Sequence, residues 1–62
     1  MFIRLRQLRI KNKYTQEKIA KYLNITRTTY YFYESGKREI PVALLSKLAR
    51  LYKTSIDYIV GD

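Results

Sequence analysis

Apolar residues recur three or four positions apart along most of the chain, which is typical of helices that bury one face. Leu5, Leu8 and, as a further candidate, Phe2 define the buried stripe of a helix over about residues 2–12. Four basic residues of this segment are expected to face outward: Arg4, Arg6, Lys11 and Lys13. No segment alternates with a sustained period of two, so the chain is predicted to be all-α.

Residues 16–35 carry the most informative pattern, because it fits two short helices packed around a tight turn. Thr15 is a suitable N-cap for the first of them, and Asn24 lies at the turn, where a left-handed residue commonly ends a helix. Thr26 is expected to cap the next helix and Gly36 to end it. The residues expected to pack inward are Ile19, Ala20, Leu23, Ile25, Tyr30 and Tyr33.

The C-terminal third predicts two more helices. Pro41 fits the first turn of a fourth helix, where its missing N–H has no cost. Ser55 caps a short last helix that Gly61 closes, with Ile56 and Ile59 as its apolar face. The stripe expected to be buried by the fourth helix is Val42, Leu45, Leu48, Ala49 and Tyr52.

Length and composition narrow the function. Sixty-two residues allow one domain with one small core, and we expect that domain to span residues 1–62. Without Cys or His, disulfides, a structural zinc and the usual nucleophile–base pairs are not expected. The two glycines form no phosphate-binding loop, so we expect neither an enzyme, nor a cofactor, nor a small-molecule ligand.

The net charge of +8, from thirteen Lys and Arg against five Asp and Glu, favours a polyanionic partner. Charge alone fits a merely soluble basic surface equally well. No apolar run approaches the roughly 18 residues of a membrane span, and no signal peptide is apparent. We therefore expect a cytoplasmic protein that does not enter a membrane.

Several separated motifs occur in a fixed order along nearly the whole chain. They are Leu5-Arg6-x-Leu8-Arg9, Thr15-Gln16-x-x-Ile19-Ala20-x-x-Leu23, Ile25-Thr26-Arg27-x-Thr29-Tyr30, Tyr33-Glu34-x-Gly36-Lys37-Arg38, Ile40-Pro41, Leu45-x-x-Leu48-Ala49 and Ser55-Ile56-Asp57-Tyr58-Ile59. With these motifs the chain resembles the phage-repressor and Cro-type (XRE) family of helix-turn-helix regulators. The resemblance implies a compact five-helix domain of the lambda-repressor type, with its helix-turn-helix at about 16–35. It also implies binding to double-stranded operator DNA as a homodimer, usually on an inverted repeat, to control transcription.

The resemblance implies roles for individual residues. Gln16, at the start of the second helix, matches a position that contacts a DNA phosphate, although a plain surface glutamine would look the same. Arg27 and Thr28 match positions that reach base edges, where Arg grips guanine and the Thr methyl meets a thymine methyl. The alternative for Arg27 is a non-specific phosphate contact. Thr29 is either a phosphate or base contact or a filler of the helix surface, and Thr26 is a further phosphate candidate.

Two adjacent aromatic residues of the third helix are unusual, and one of them departs from the family pattern. If Tyr30 and Tyr33 point inward, Tyr31 and Phe32 lie on the outer face, where they are candidates for base contact. Phe32 occupies a position that is often polar in the family. The alternative for Phe32 is partial burial against the second helix or the following loop.

Arg9 and Glu34 match an ion pair that joins the first helix to the end of the third, with Arg9 also placed near a phosphate. The alternative is two solvated charges of little energetic value. Lys37 and Arg38 follow the third helix and are expected to approach the DNA backbone, unless they are simply solvated.

The last helices supply candidates for a dimer interface, which could instead complete the monomer core: Leu44, Leu51, Tyr58, Ile59 and Val60. A different class of function, an antitoxin or partner-binding module with secondary DNA binding, fits the same fold. RNA binding is a third alternative, since aromatic residues among basic ones can stack on unpaired bases.

Overall fold

The computed structural model describes residues 3–61, and every regular element in this range is a helix. The prediction of an all-α, five-helix domain is therefore confirmed. Phe2, the further candidate for the first apolar stripe, lies outside the described residues. In chain order the helices are α1 (Ile3–Lys11), α2 (Gln16–Leu23), α3 (Arg27–Ser35), α4 (Val42–Leu51) and α5 (Ile56–Val60).

Side-chain caps begin three of the helices as predicted. The hydroxyls of Thr15, Thr26 and Ser55 each accept a hydrogen bond from the backbone N–H three residues later, at 3.0, 3.1 and 3.0 Å. Asn24 ends α2 and Gly36 ends α3, both in the left-handed conformation with φ of 60° and 84°. The turn between α2 and α3 is thus fixed by its own residues.

Two further helix ends were not predicted. Lys13, after α1, and Lys53, after α4, also adopt positive φ, at 60° and 54°. Each is followed by a backbone N–H that donates to a carbonyl five residues back, Tyr14 to Arg9 and Thr54 to Ala49. Lysine is not a residue that signals this conformation, so the chain accepts local strain at both places.

The core receives side chains from every helix. α1 packs against α3 and α5, α2 against α3, and α4 against α5. The buried apolar residues are Leu5, Ile19, Ala20, Leu23, Tyr30, Ile40, Leu45, Leu48, Ala49 and Ile59. Within residues 3–61, none of the helices has the length and apolar character required to cross a bilayer.

Three details of the predicted packing were wrong. Val42 is 70% exposed, because Ile40, just before Pro41, fills the core at the start of α4 instead. Pro41 is the N-cap of α4 rather than a residue of its first turn. Arg4 does not simply face solvent: its Nη1 donates to the Tyr58 carbonyl at 2.9 Å, and its guanidinium lies 4.5 Å from the centre of the Tyr58 ring.

The C-terminal end of α5 lies beside the contact between Arg4 and Tyr58. The Gly61 N–H donates to the Asp57 carbonyl at 2.8 Å, which confirms that Gly61 ends the helix. A Cβ at this position would lie 2.7 Å from the same carbonyl oxygen and 3.4 Å from Arg4 Nη1. Glycine is therefore required here by close approach.

Candidate nucleic-acid interface

The outer face of α3 begins with two polar residues and continues with aromatic ones. Arg27 and Thr28 are exposed in the first turn, as predicted. Tyr31 is 44% exposed, whereas Phe32 is half-buried, so the alternative of partial burial holds for Phe32 in part. Tyr30 is fully buried and Tyr33 is packed against the core, which places the inner face of α3 where the sequence predicted it.

The predicted ion pair between α1 and α3 is present and bidentate. Arg9 Nε donates to Glu34 Oε2 at 2.9 Å, and Arg9 Nη2 donates to Glu34 Oε1 at 3.0 Å. The side chains are only 13% and 5% exposed, so the alternative of two solvated charges is wrong. Two parallel hydrogen bonds of this kind fix direction as well as distance, and they hold the C-terminal end of α3 against α1.

The pKa values of this cluster depend on both its burial and its ion pair. Burial would raise the pKa of Glu34, but the hydrogen bonds and positive charge of Arg9 outweigh it, and the pKa is lowered. For Arg9, the hydrogen bond to Glu34 raises the pKa above its usual value. Burial also raises the pKa of Tyr30, whose hydroxyl makes no hydrogen bond of normal geometry with any residue in the described range. At neutral pH the pair is thus fully charged.

Arg9 has little freedom left for other partners. Its Nη1 donates to the Tyr14 carbonyl at 3.0 Å, in addition to the two bonds to Glu34. Three of the five guanidinium N–H groups are therefore engaged within the protein. As long as Arg9 stays bound to Glu34, only the remaining two N–H groups can contact a phosphate.

A hollow at the N-terminus of α2 brings several predicted residues together. Its lining includes Arg9, Gln16 and Arg27, together with Tyr14, Thr15 and Glu17. The first turn of a helix presents free backbone N–H groups and the positive end of the helix dipole, so this hollow suits an anion. Gln16 is half-buried, and its Nε2 makes a long 3.4 Å hydrogen bond to Glu34 Oε1.

Tyr14, for which no role was predicted, also lines this hollow. Its carbonyl anchors Arg9, and its ring lies 5.5 Å from the Lys18 ammonium and 6.3 Å from the Tyr52 ring. The available signal was its position directly before the Thr15 cap, where an apolar residue often packs against the first turns of the helix.

The two threonines at the start of α3 are joined to each other. The two hydroxyls lie 2.8 Å apart and share a hydrogen bond, while Thr26 Oγ1 also accepts the Thr29 backbone N–H. One of their two hydroxyl protons is therefore used within the protein, and the other is available to a phosphate.

Lys37 and Arg38 are exposed just beyond α3. Both backbone N–H groups donate to the Phe32 carbonyl, at 2.9 and 3.2 Å, so the loop folds back over the end of the helix. The Lys37 ammonium lies 6.0 Å from the centre of the Tyr31 ring. Lys37 therefore lies beside the aromatic half of α3, and Arg38 follows it in the same loop.

The predicted dimer candidates separate into three groups by burial. Ile59 is 1% exposed, so its place in an interface was wrong; it fills the core, where α5 meets α1 and α4. Leu44 and Leu51 are partly buried and pack against the same core. Tyr58 and Val60, at 45% and 44% exposure, are the two that remain accessible.

The helix-turn-helix of α2 and α3, with a hollow at the N-terminus of α2 that suits an anion, is typical of a class of DNA-binding domain. Sequence comparison agrees with this class. Residues 5–59 match the helix-turn-helix family model, so the chain belongs to this family. The resemblance to XRE-type regulators is thereby confirmed. Membership makes the chain a DNA-binding domain rather than an enzyme.

Among its relatives is an uncharacterized HTH-type transcriptional regulator, YobD of Bacillus subtilis, which is 45% identical over 58 residues, 94% of this chain and 52% of the relative. The cryptic phage CTXphi transcriptional repressor RstR of Vibrio cholerae is 30% identical over 59 residues, 95% of this chain and 53% of the relative. An uncharacterized HTH-type transcriptional regulator of Archaeoglobus fulgidus is 37% identical over 57 residues, 92% of this chain and 81% of the relative.

The chain spans about half the length of the first two of these relatives. No solved structure matches it significantly.

Proposed function

We propose that this chain is a sequence-specific DNA-binding transcriptional regulator that places α3 in the major groove of an operator, and that it acts as a repressor. The observation that carries the proposal is the outer face of α3, which is exposed at its first turn while its far end is fixed by the buried Arg9–Glu34 pair. A recognition helix needs this combination of accessible side chains and a rigid backbone. The repressor RstR among the relatives supports the direction of control.

Base contacts in this proposal come from the outer face of α3. Arg27 is long, charged and exposed, and it reaches guanine O6 and N7 through two hydrogen bonds. Thr28 offers a hydroxyl and a methyl to the adjacent base pair. Tyr31 and Phe32 continue the contact surface toward the C-terminal half of the helix.

Phosphate contacts surround these base contacts. Gln16 and the first-turn backbone N–H groups of α2 receive one phosphate in the hollow described above. At the start of α3, the hydrogen-bonded pair of Thr26 and Thr29 donates its one free hydroxyl proton to another phosphate. Lys37 and Arg38 supply charge at the other end of the helix.

A single domain cannot span two half-sites. The described chain measures 24 × 23 × 19 Å, whereas half-sites one DNA turn apart are separated by about 34 Å. Recognition of an inverted repeat therefore requires a homodimer, for which Tyr58 and Val60 are the accessible candidates and Leu44 and Leu51 their half-buried neighbours. Such a role places the protein in the cytoplasm, together with the DNA.

The test of this proposal is selection from a random duplex library at about 150 mM salt, a concentration that suppresses loose phosphate binding. We expect an enriched inverted repeat with half-sites about one turn apart. Folded protein that enriches no sequence would contradict the proposal and favour a partner-binding module.

Arg27→Ala then tests base reading directly. We expect it to lose discrimination at one base position by about 1–3 kcal/mol, because the two hydrogen bonds to guanine are lost. Arg50→Ala is the matched control, since it removes one exposed positive charge from α4, outside α2 and α3. If Arg27→Ala weakened binding to all sequences equally, Arg27 would be a phosphate contact instead.

A further inference from the structure

Charge is confined to one end of the outer face of α3. Within the helix the charged residues are Arg27, at its start, and Glu34, which is buried at 5% exposure. Beyond the first turn the outer face carries Tyr31 and Phe32, which have no net charge at neutral pH. The surface offered to the groove thus changes from a cation to aromatic rings within one turn.

These two rings support each other. Their centres lie 5.9 Å apart with an angle of 54° between the planes, within the range favoured by aromatic pairs. The Lys37 ammonium lies over the Tyr31 ring, 6.0 Å from its centre. Tyr31 therefore has both Phe32 and Lys37 as neighbours, although 44% of its surface remains exposed. The two rings together present an apolar surface.

An apolar surface in the major groove has one obvious complement. Base edges there present hydrogen-bond donors and acceptors, and the apolar group among them is the C5 methyl of thymine. A phenyl ring offers no hydrogen bond to the polar groups, so it favours the methyl. A cytosine that carries a C5 methyl presents the same group at the same place.

We propose that the Tyr31–Phe32 pair reads pyrimidine C5 methyl groups, so that binding to each half-site depends on a methyl close to the guanine held by Arg27. This inference rests on the proposed function, since it requires α3 to lie in the groove. It adds the chemical group recognised, its position and a sensitivity to cytosine methylation.

For an α3 that lies along the groove, helix geometry gives the approximate position of that methyl. Residues 28 and 32 are four apart on one face of α3, as are 27 and 31, and four residues advance about 6 Å along a helix. Base pairs are spaced by about 3.4 Å. The methyl contact therefore lies about two base pairs from the guanine.

The experiment measures Kd by fluorescence anisotropy, with the full chain and duplexes of the selected operator. Deoxyuridine replaces thymidine at one position at a time, which removes only the methyl. We expect about a fourfold weaker affinity at the position two base pairs from the guanine, the equivalent of about 0.8 kcal/mol for one buried methyl group, and no change outside the half-site. When deoxycytidine replaces that thymidine, the duplex that carries 5-methyldeoxycytidine should bind more tightly than the duplex with unmodified deoxycytidine.

Protein variants identify the rings responsible. Tyr31→Ala and Phe32→Ala should each reduce the difference between thymidine and deoxyuridine, whereas Tyr31→Phe, which keeps the ring and removes the hydroxyl, should preserve it. Because Phe32 is half-buried, Phe32→Ala is used only if its circular dichroism spectrum is native; Tyr31→Ala tests the pair at an exposed site.

The outcomes separate the two proposals. An enriched operator that binds equally well with deoxyuridine at every half-site position would overturn methyl reading and leave the proposed function intact. A methyl effect that persists in Tyr31→Ala and Phe32→Ala would also overturn it, since other residues would then be responsible. Absence of any enriched operator would overturn both.

Discussion

Replacement of Glu34 by Gln should destabilise the domain by about 3 kcal/mol. The substitution keeps the size of the side chain but removes the charge that Arg9 meets through two hydrogen bonds of 2.9 and 3.0 Å. Loss of one partner of a buried pair costs about 3–5 kcal/mol, because the other charge stays buried and uncompensated. We expect the lower end of this range, since Arg9 retains its hydrogen bond to the Tyr14 carbonyl and is 13% exposed.

This loss is large for so small a domain. At roughly 0.05–0.15 kcal/mol per residue, 62 residues correspond to a free energy of unfolding of about 3–9 kcal/mol. A domain of this size loses about 4–8 °C in Tm for each kcal/mol, so Glu34→Gln should lower Tm by about 12–24 °C. Thermal unfolding followed by circular dichroism at pH 7 measures the change.

Two controls identify the cause. Glu39→Gln makes the same change of net charge at an exposed residue of the loop before α4, and its Tm should stay within a few degrees of the parent. The double variant Arg9→Met, Glu34→Leu replaces both partners by apolar side chains and should recover most of the loss. A Tm for Glu34→Gln no lower than that for Glu39→Gln would refute the argument that a buried pair fixes α3.

The effect should also depend on pH. Because the pKa of Glu34 is lowered in the folded protein, its charge contributes stability above the pKa of the unfolded chain, about 4.5. That contribution is lost as the pH falls through the lower folded-state pKa. The stability difference between the parent protein and Glu34→Gln should therefore be constant near neutral pH and decrease below about pH 4.5. A difference unchanged at pH 3 would contradict the lowered pKa.

Two further predictions concern helix packing and backbone contacts. Ala20→Leu should destabilise the domain by about 1–3 kcal/mol in urea unfolding, because Ala20 is 2% exposed on α2, which packs on α3; a neutral result would mean that space exists there. Lys37→Ala should reduce the log–log salt dependence of operator binding by about 0.9, the effect of one phosphate contact, whereas Lys47→Ala on α4 should leave the slope unchanged. Equal slopes for both variants would remove Lys37 from the interface.

Features set by neighbouring residues could be predicted from the sequence. Thr15, Thr26 and Ser55 cap helices because a hydroxyl reaches an N–H three residues away, and Asn24 and Gly36 tolerate left-handed backbone. The Arg9–Glu34 pair is a different case, since the residues alone allowed either a pair or two solvated charges, and the family resemblance suggested the contact.

Features that depend on distant parts of the chain could not be predicted. Val42 continues the apolar spacing of α4 but is 70% exposed, and the spacing alone does not show that the helices packed on α4 leave its first residue uncovered. The contact of Arg4 with the carbonyl of Tyr58 joins residues 54 positions apart, and no local pattern signals it. The long hydrogen bond from Gln16 to Glu34 likewise joins residues 18 positions apart. The sequence could therefore suggest a phosphate contact for Gln16, but it could not show that the Glu34 carboxylate lies beside it.

The contact between Arg4 and α5 has a consequence for the order in which the domain is built. α2 and α3 are adjacent in the chain and pack on each other, so their contacts are available as soon as residues 16–35 have left the ribosome. α1 can meet α3 at the same stage, but it cannot pack against α5 until residues 56–60 have been synthesised, because proteins emerge N-terminus first. These late residues therefore complete the packing of the first helix, and a nascent chain arrested before them would leave the α5-facing side of α1 uncovered.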